Sequence, residues 1–289
     1  MKSKKRIIVY GVIAIAVIIL ILTGALHNSS KANSNSSVTT ISVAGPDNNR
    51  PYTYPDNGKI GGYYGALLGR IDQDLKQYKF KQTTTAQNSV FVGLQSGKYD
   101  LAVSNWWYSK DRFNTYLHST SNGLDDLRLI TKKGGKTANS LKDIATKKLT
   151  LAPISTDDAR YAFIQDYNKK NPKYKINLKG IGDQSAGDAL KQVSNGQYDV
   201  AIYPYAAYKP VSSTSEGTKL RVSKSIGLEN SYFLLNKSDK NEKLLKALNK
   251  ELKKLKDNGY LGKITKKYLY ENTFEFPGAN STFNTDPTK

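Results

Sequence analysis

The sequence predicts an α/β fold of two lobes around a cleft, preceded by an N-terminal transmembrane or signal helix. Three observations carry this. Strand-length apolar runs alternate with helical stripes along the chain. One helix–glycine–strand junction recurs, with its glycine at 97 and again at 196. Of the 289 residues, about 250 remain beyond the N-terminal segments, enough for two modest cores.

At the N-terminus, Lys2, Lys4, Lys5 and Arg6 precede an uncharged apolar run at residues 7–26. A helix of that length spans about 30 Å, the thickness of a bilayer's hydrocarbon core. The basic flank stays cytoplasmic, so the rest of the chain is exported. A signal peptide would be cleaved after a small-x-small site such as Ser30-Lys31-Ala32. An uncleaved signal anchor is favoured, because the run exceeds the usual ~7–15-residue apolar region. The protein is thus expected at the cell surface, membrane-anchored, or secreted if cleaved. Residues 27–40, rich in Ser, Asn and Thr, read as a flexible spacer.

The globule begins with a strand at 41–43, then a loop at 45–58 broken by Gly, Pro and Asn. Leu67, Leu68, Ile71 and Leu75 share one helical face, and Tyr78, Phe80 and Gln82 alternate as in a strand. Residues 101–103, 149–151, 200–202 and 232–235 read as short buried strands separated by helices, which predicts largely parallel sheets. Leu244, Leu245, Leu248, Leu252 and Leu255 form a last helical stripe, ended by Asn258-Gly259.

The recurring junction aligns residues 93–103 with 192–202. The two share Gly97 and Gly196, Tyr99-Asp100 and Tyr198-Asp199, and Ala102 and Ala201. Each reads as a helix end, a left-handed glycine cap and a buried strand, one per lobe. Ligands of such folds bind beyond the carboxyl ends of the strands. There the chain places Asn105, Trp106, Trp107 and Arg112 after one junction and Tyr203 after the other. Adjacent tryptophans on a strand face opposite sides, so one at least should border cleft or solvent. After 149–151 come Ser155 and Thr156, with Asp158 in capping-box spacing to Ser155. A helix start with hydroxyls suits an anion such as a carboxylate.

Lys and Arg number 44 against 24 Asp and Glu, a net +20. Setting aside Lys2, Lys4, Lys5, Arg6 and Lys31 leaves 39 against 24, so the globule carries +15. Outside a cell such charge points to anionic wall polymer or lipid head groups rather than nucleic acid, or to a solvated lysine-rich surface. With no cysteine and only His27 and His118, disulfides, thiol chemistry and a His-rich metal centre are excluded. Gly-Gly-Lys-Thr at 134–137 is no phosphate loop, since Ile130 stands where the leading glycine belongs. Neither a Gly-x-Ser-x-Gly elbow nor a His-Glu-x-x-His helix occurs. Neither an enzyme nor a cofactor is expected.

Several segments together carry a family resemblance. They are Pro51-Tyr52, residues 57–63 (NGKIGGY), residues 94–100 (LQSGKYD), Arg112, Leu141-Lys142-Asp143-Ile144, Lys147-Lys148-Leu149, Gly196-Gln197-Tyr198-Asp199 and Asp257-Asn258-Gly259. Over 41–269 the chain resembles the extracellular solute-binding proteins of polar amino-acid ABC importers, with the two-lobed type II periplasmic-binding-protein fold. That resemblance implies lobe 1 at 41–131 plus 225–270, lobe 2 at 132–224, hinge crossings near Thr131 and Ser225, and a tail at 271–289. It implies a monomeric binding component that serves permease subunits of an importer. Its lobes would close on a small carboxylate-bearing solute: an amino acid, a derivative or a short peptide.

By position, the resemblance makes Arg112 the clamp on the ligand carboxylate, completed by Ser155 and Thr156. Asn105, Trp106, Trp107, Asp47, Asn49, Tyr52 and Tyr203 would line the rest. Pro46 and Pro204 stand where the family's acids hold the ligand ammonium, with Asp47 one residue from the first. Asn49 replaces an aromatic residue, and Ile154 a glycine. The implied ligand therefore needs a carboxylate, and a free ammonium is helpful at most. The alternative is a surface adhesin or scaffold that kept the fold, lost the ligand site, and binds wall polymer or host matrix.

Overall fold

The computed structural model describes residues 38–182 and 184–288. The expected membrane or signal helix, its cleavage site and nearly all of the spacer lie outside them. Among the described residues, no helix is long and apolar enough to cross a membrane.

The chain enters at β1 (Thr39–Pro46), turns through β2 (Pro55–Asp56) and β3 (Lys59–Ile60), and continues as α1 (Gly62–Asp74) and β4 (Tyr78–Thr85). Next come α2 (Gln87–Gln95), β5 (Leu101–Trp107), α3 (Lys110–Thr115) and β6 (Leu117–His118). The long β7 (Gly123–Lys132) leads into α4 (Leu141–Thr146), β8 (Ile154–Ser155), α5 (Ala159–Lys170) and β9 (Gly180–Ile181). After these stand α6 (Ala186–Ser194), β10 (Val200–Pro204), α7 (Tyr205–Tyr208) and β11 (Leu220–Val222). The equally long β12 (Gly227–Leu235) returns to α8 (Asp239–Asp257), α9 (Tyr260–Leu269) and α10 (Ala279–Phe283).

One sheet runs β10-β7-β12-β5-β1-β4, with β11 on β7 and β6 on β12. The expectation of largely parallel sheets is corrected here. β1 is parallel to β4 and β5, which helical crossovers impose, but β7 and β12 are antiparallel to every neighbour. The stretch 149–151 contributes a single bridge, Leu151 to Val200. β7 and β12 pair with each other over 123–127 and 227–231 and then diverge. β7 goes on to β10 and β11, and β12 to β5. Thr131 lies opposite Val200 and Arg221 in this ladder, and Ser225 precedes β12.

Both members of the recurring junction fold alike. Gly97 (φ +76°) and Gly196 (φ +82°) come after α2 and α6 in the left-handed region and release the chain into β5 and β10. Ser140, Ser185 and Ser238 cap α4, α6 and α8 by accepting from the backbone N–H three residues on. Leu244, Leu248, Leu252 and Leu255 of α8 are buried against Ile41, Val43, Leu67 and Ile71, while Leu245 is half-buried. Leu129, Ile144, Ile164, Val200 and Ile202 centre a separate core in the other lobe.

The segment after α9 is laid over the first core, with Phe274 and Phe283 5.2 Å apart. It also touches both crossing strands. Thr273 Oγ1 donates to the Leu124 carbonyl at 3.0 Å, Asn230 Nδ2 donates to the Thr282 carbonyl at 2.6 Å, and Glu271 pairs with Arg128 at 2.9 Å.

Candidate functional site

A cleft of about 690 Å³ opens beyond the carboxyl ends of β1, β5, β8 and β10. Nine of the ten residues expected at a site border it: Asp47, Asn49, Tyr52, Asn105, Trp106, Trp107, Arg112, Ser155 and Tyr203. Thr156 does not. It is exposed, and its methyl group packs toward Gly180 of β9, because pairing of β8 with β9 turns it away from the cleft. Both tryptophans are buried and both reach the cleft. Trp106 packs on Phe91 at 4.8 Å, while Trp107 turns toward β7.

What Trp107 meets there is Asp125, a buried carboxylate near the start of β7. One oxygen accepts from Tyr52 Oη at 2.5 Å. The other accepts from Asn105 Nδ2 at 3.0 Å and Trp107 Nε1 at 2.6 Å. Asn49 Nδ2 extends the chain, donating at 2.9 Å to both Asn105 Oδ1 and Ser104 Oγ. Burial, with the adjoining Asp126, raises the Asp125 carboxyl above its usual range, and the three donors oppose the rise without cancelling it. Three residues that sequence reasoning placed separately are therefore held by one it passed over. Neither Asp125 nor the adjoining Asp126 stands in a motif spacing that marks a site.

Arg112, on α3, crosses the cleft: its Nη2 donates to the Asp157 carbonyl at 2.6 Å. Its guanidinium lies 5.2 Å from the Phe91 ring and 5.9 Å from Trp106. Burial pushes the guanidinium down from its usual range, opposed by Asp158 and Asp157. The helix beyond, α5, is capped by Asp158 rather than Ser155, which leaves the Ser155 hydroxyl at the cleft wall. Asp158 accepts from Arg160 N at 2.8 Å, Nε at 3.0 Å and Nη2 at 2.6 Å. Although burial opposes its charge, the adjoining Arg160 holds this carboxyl below the usual range.

Arg160 was also missed. It stacks on Tyr203 at 3.7 Å and donates Nη1 to the Ile202 carbonyl at 2.8 Å. Ser185, capping α6, brings a second helix start to the same wall. Pro46 and Pro204 border the cleft and offer no side-chain acceptor, and Asp47 is exposed at the edge. One wall thus presents an arginine and two helix starts, the first capped by the Asp158 carboxylate that Arg160 pairs with, and Asp157 and Asp188 border the same wall. The facing wall is aromatic and amide-rich, backed by the carboxylate of Asp125.

Residues 41–271 match the bacterial extracellular solute-binding proteins, family 3. The L-cystine-binding protein TcyJ of Bacillus subtilis is 24% identical over 260 residues, covering 90% of this chain and 94% of that protein. The probable amino-acid-binding protein YxeM of Bacillus subtilis is 25% identical over 278 residues, covering 94% and 97%. A structure from work on glutathione import via GshT and the cystine ABC importer TcyBC of Streptococcus mutans aligns with a TM-score of 0.68 at 28% identity, covering 81% of this chain and 96% of that one. A putative L-cystine ABC transporter protein from Listeria monocytogenes aligns with a TM-score of 0.61 at 26% identity, covering 80% and 96%.

Proposed function

This chain belongs to the bacterial extracellular solute-binding proteins of family 3, and from that premise we propose that it captures an amino acid of the cystine class for an ABC importer. The observation that carries the reading is the meeting of Arg112 with the start of α5. A ligand carboxylate arriving there takes the place of the Asp157 carbonyl, gaining a charge-assisted bond to Arg112 and the N-terminal end of a helix. Because Arg112 comes from lobe 1 and α5 from lobe 2, the same carboxylate ties the lobes together. The chain would bend near Thr131 and Ser225, next to the stretch where β7 and β12 pair over 123–127 and 227–231.

The cystine class is favoured by the relatives' names, while Pro46 and Pro204 leave two cleft positions without side-chain acceptors. Those prolines set the cleft apart from one built on direct acid–ammonium pairs. Residues 7–26 would hold the protein at the outer face of the membrane, next to its permease, and the +15 globule would rest among anionic wall polymers.

A thermal-shift panel of L-cystine, glutathione, L-arginine and L-glutamine tests the reading. A ligand that binds only the folded protein raises its stability by about 2.7 kcal/mol at a hundred times Kd. L-cystine is expected to raise the midpoint most. A panel in which none of the four moves it would contradict the proposal.

A further inference from the structure

We propose that Asp125 is the counter-charge for the ligand's α-ammonium, acting through Tyr52, Asn105 and Trp107 instead of touching it. The proposal rests on the amino-acid reading of the cleft and adds the element that Pro46 and Pro204 remove.

Every donor to Asp125 is a cleft-lining side chain. Its partners are a phenol, an amide and an indole, three donors that favour the ionised carboxylate against the upward push of burial and Asp126. Among the described residues Asp125 forms no salt bridge, so its charge is not neutralised inside the protein. A buried carboxylate without a cation costs stability, and its field extends into the nearest poorly solvated space. That space is the cleft.

The three donors shape the wall accordingly. Having given its proton to Asp125, Tyr52 Oη has only lone pairs left to offer. Asn105 gives one Nδ2 hydrogen to the same carboxylate, while its Oδ1 accepts from Asn49 Nδ2 at 2.9 Å and Ser104 Oγ at 3.3 Å, which fixes the amide in place. Trp107 donates its N–H to an anion, which enriches the ring face that attracts cations. Glu229 lies opposite Asp125 in the β7–β12 ladder, and burial together with Asp125 pushes its carboxyl up to about 7. An ammonium on this wall meets acceptors and negative potential, while the carboxylate of the same molecule reaches Arg112.

The test is calorimetry on the purified full chain with two probes: L-cystine, and dithiodipropionate, which is cystine without its amino groups. Wild type is expected to prefer L-cystine by about tenfold or more, a difference of ~1.4 kcal/mol. Asp125→Asn keeps the shape and removes the charge. It should weaken L-cystine binding by about that factor and leave dithiodipropionate within about threefold. Tyr52→Phe keeps both ring and carboxylate. It should show the same selective loss at smaller size, and it carries the test if Asp125→Asn fails to fold.

Equal losses for both probes would reduce Asp125 to packing and overturn the proposal. Equal affinity of wild type for the two probes would overturn it while leaving the carboxylate clamp intact. Failure of wild type to bind either probe would remove the cystine-class reading and this proposal with it.

Discussion

Arg112 is the residue on which ligand capture turns, because it alone makes a side-chain bond from α3 to the far wall of the cleft among the described residues. Removing one partner of a desolvated charge contact costs about 2–5 kcal/mol. Arg112→Ala is therefore expected to weaken amino-acid binding at least tenfold to a hundredfold by calorimetry, while Thr156→Ala, outside the cleft, leaves it unchanged. Two glutamates give the protein a pH response. Burial pushes Glu229 up to about 7; burial and Asp126 push Glu271 up to about 8, outweighing its Arg128 partner. Acids raised in the folded state contribute stability that is complete below the ordinary carboxylate range and lost as pH rises through their folded values. The melting midpoint should fall as pH rises from about 6.5 to about 9, above the range where half-buried His118, held below its usual value, adds the opposite slope, and Glu271→Gln should flatten that fall. A midpoint that climbs over this range would contradict it. Arg112, Asn105 and Trp107 were legible in the sequence because they directly succeed a recognisable buried strand. Asp125 was not, since its partners Trp107, Asn105 and Tyr52 lie 18, 20 and 73 residues away, and Arg160, though paired with nearby Asp158, reaches the other strand end through Ile202, 42 residues away. Local pattern carries no trace of such pairings.

At the scale of elements, the two glycine junctions act as matched hinges between helix and strand, each fixed by a left-handed residue that a side chain disfavours. Gly97→Ala and Gly196→Ala should each cost about 1–2 kcal/mol in urea unfolding. The helices they end pack in separate cores, so the double variant should show roughly the sum. A neutral result at either position would mean that its turn relaxes to another geometry. These junctions were readable because glycine, an apolar strand and helical periodicity all point to one local structure. Strand direction was not readable in the same way. Side-chain alternation is identical in parallel and antiparallel ladders, so the reversed run of β7 and β12 depends on connections that composition does not reveal. Capping misled for a similar reason. Ser155 has the spacing of a cap, but its brief pairing with Ile181 delays the helix until Asp158.

The whole molecule divides and rejoins. Two cores grow on one sheet, β7 and β12 pass between them, and the segment after α9 fastens to both strands through Thr273, Thr282 and Glu271. The cleft lies where the strand ends of both lobes meet, and Arg112 already spans it by bonding to a backbone carbonyl. A ligand that replaces this carbonyl with a carboxylate exchanges a neutral acceptor for a charged one, so closure on that ligand is favoured over closure without it. On this reading a carboxylate holds the lobes together. The most direct test is titration calorimetry of the purified protein with L-cystine and with L-cystine dimethyl ester, which keeps the amino groups and the disulfide and removes both carboxylate charges. Saturable binding of L-cystine is predicted, with a loss of at least about tenfold for the ester; equal affinity for the two would contradict the carboxylate clamp.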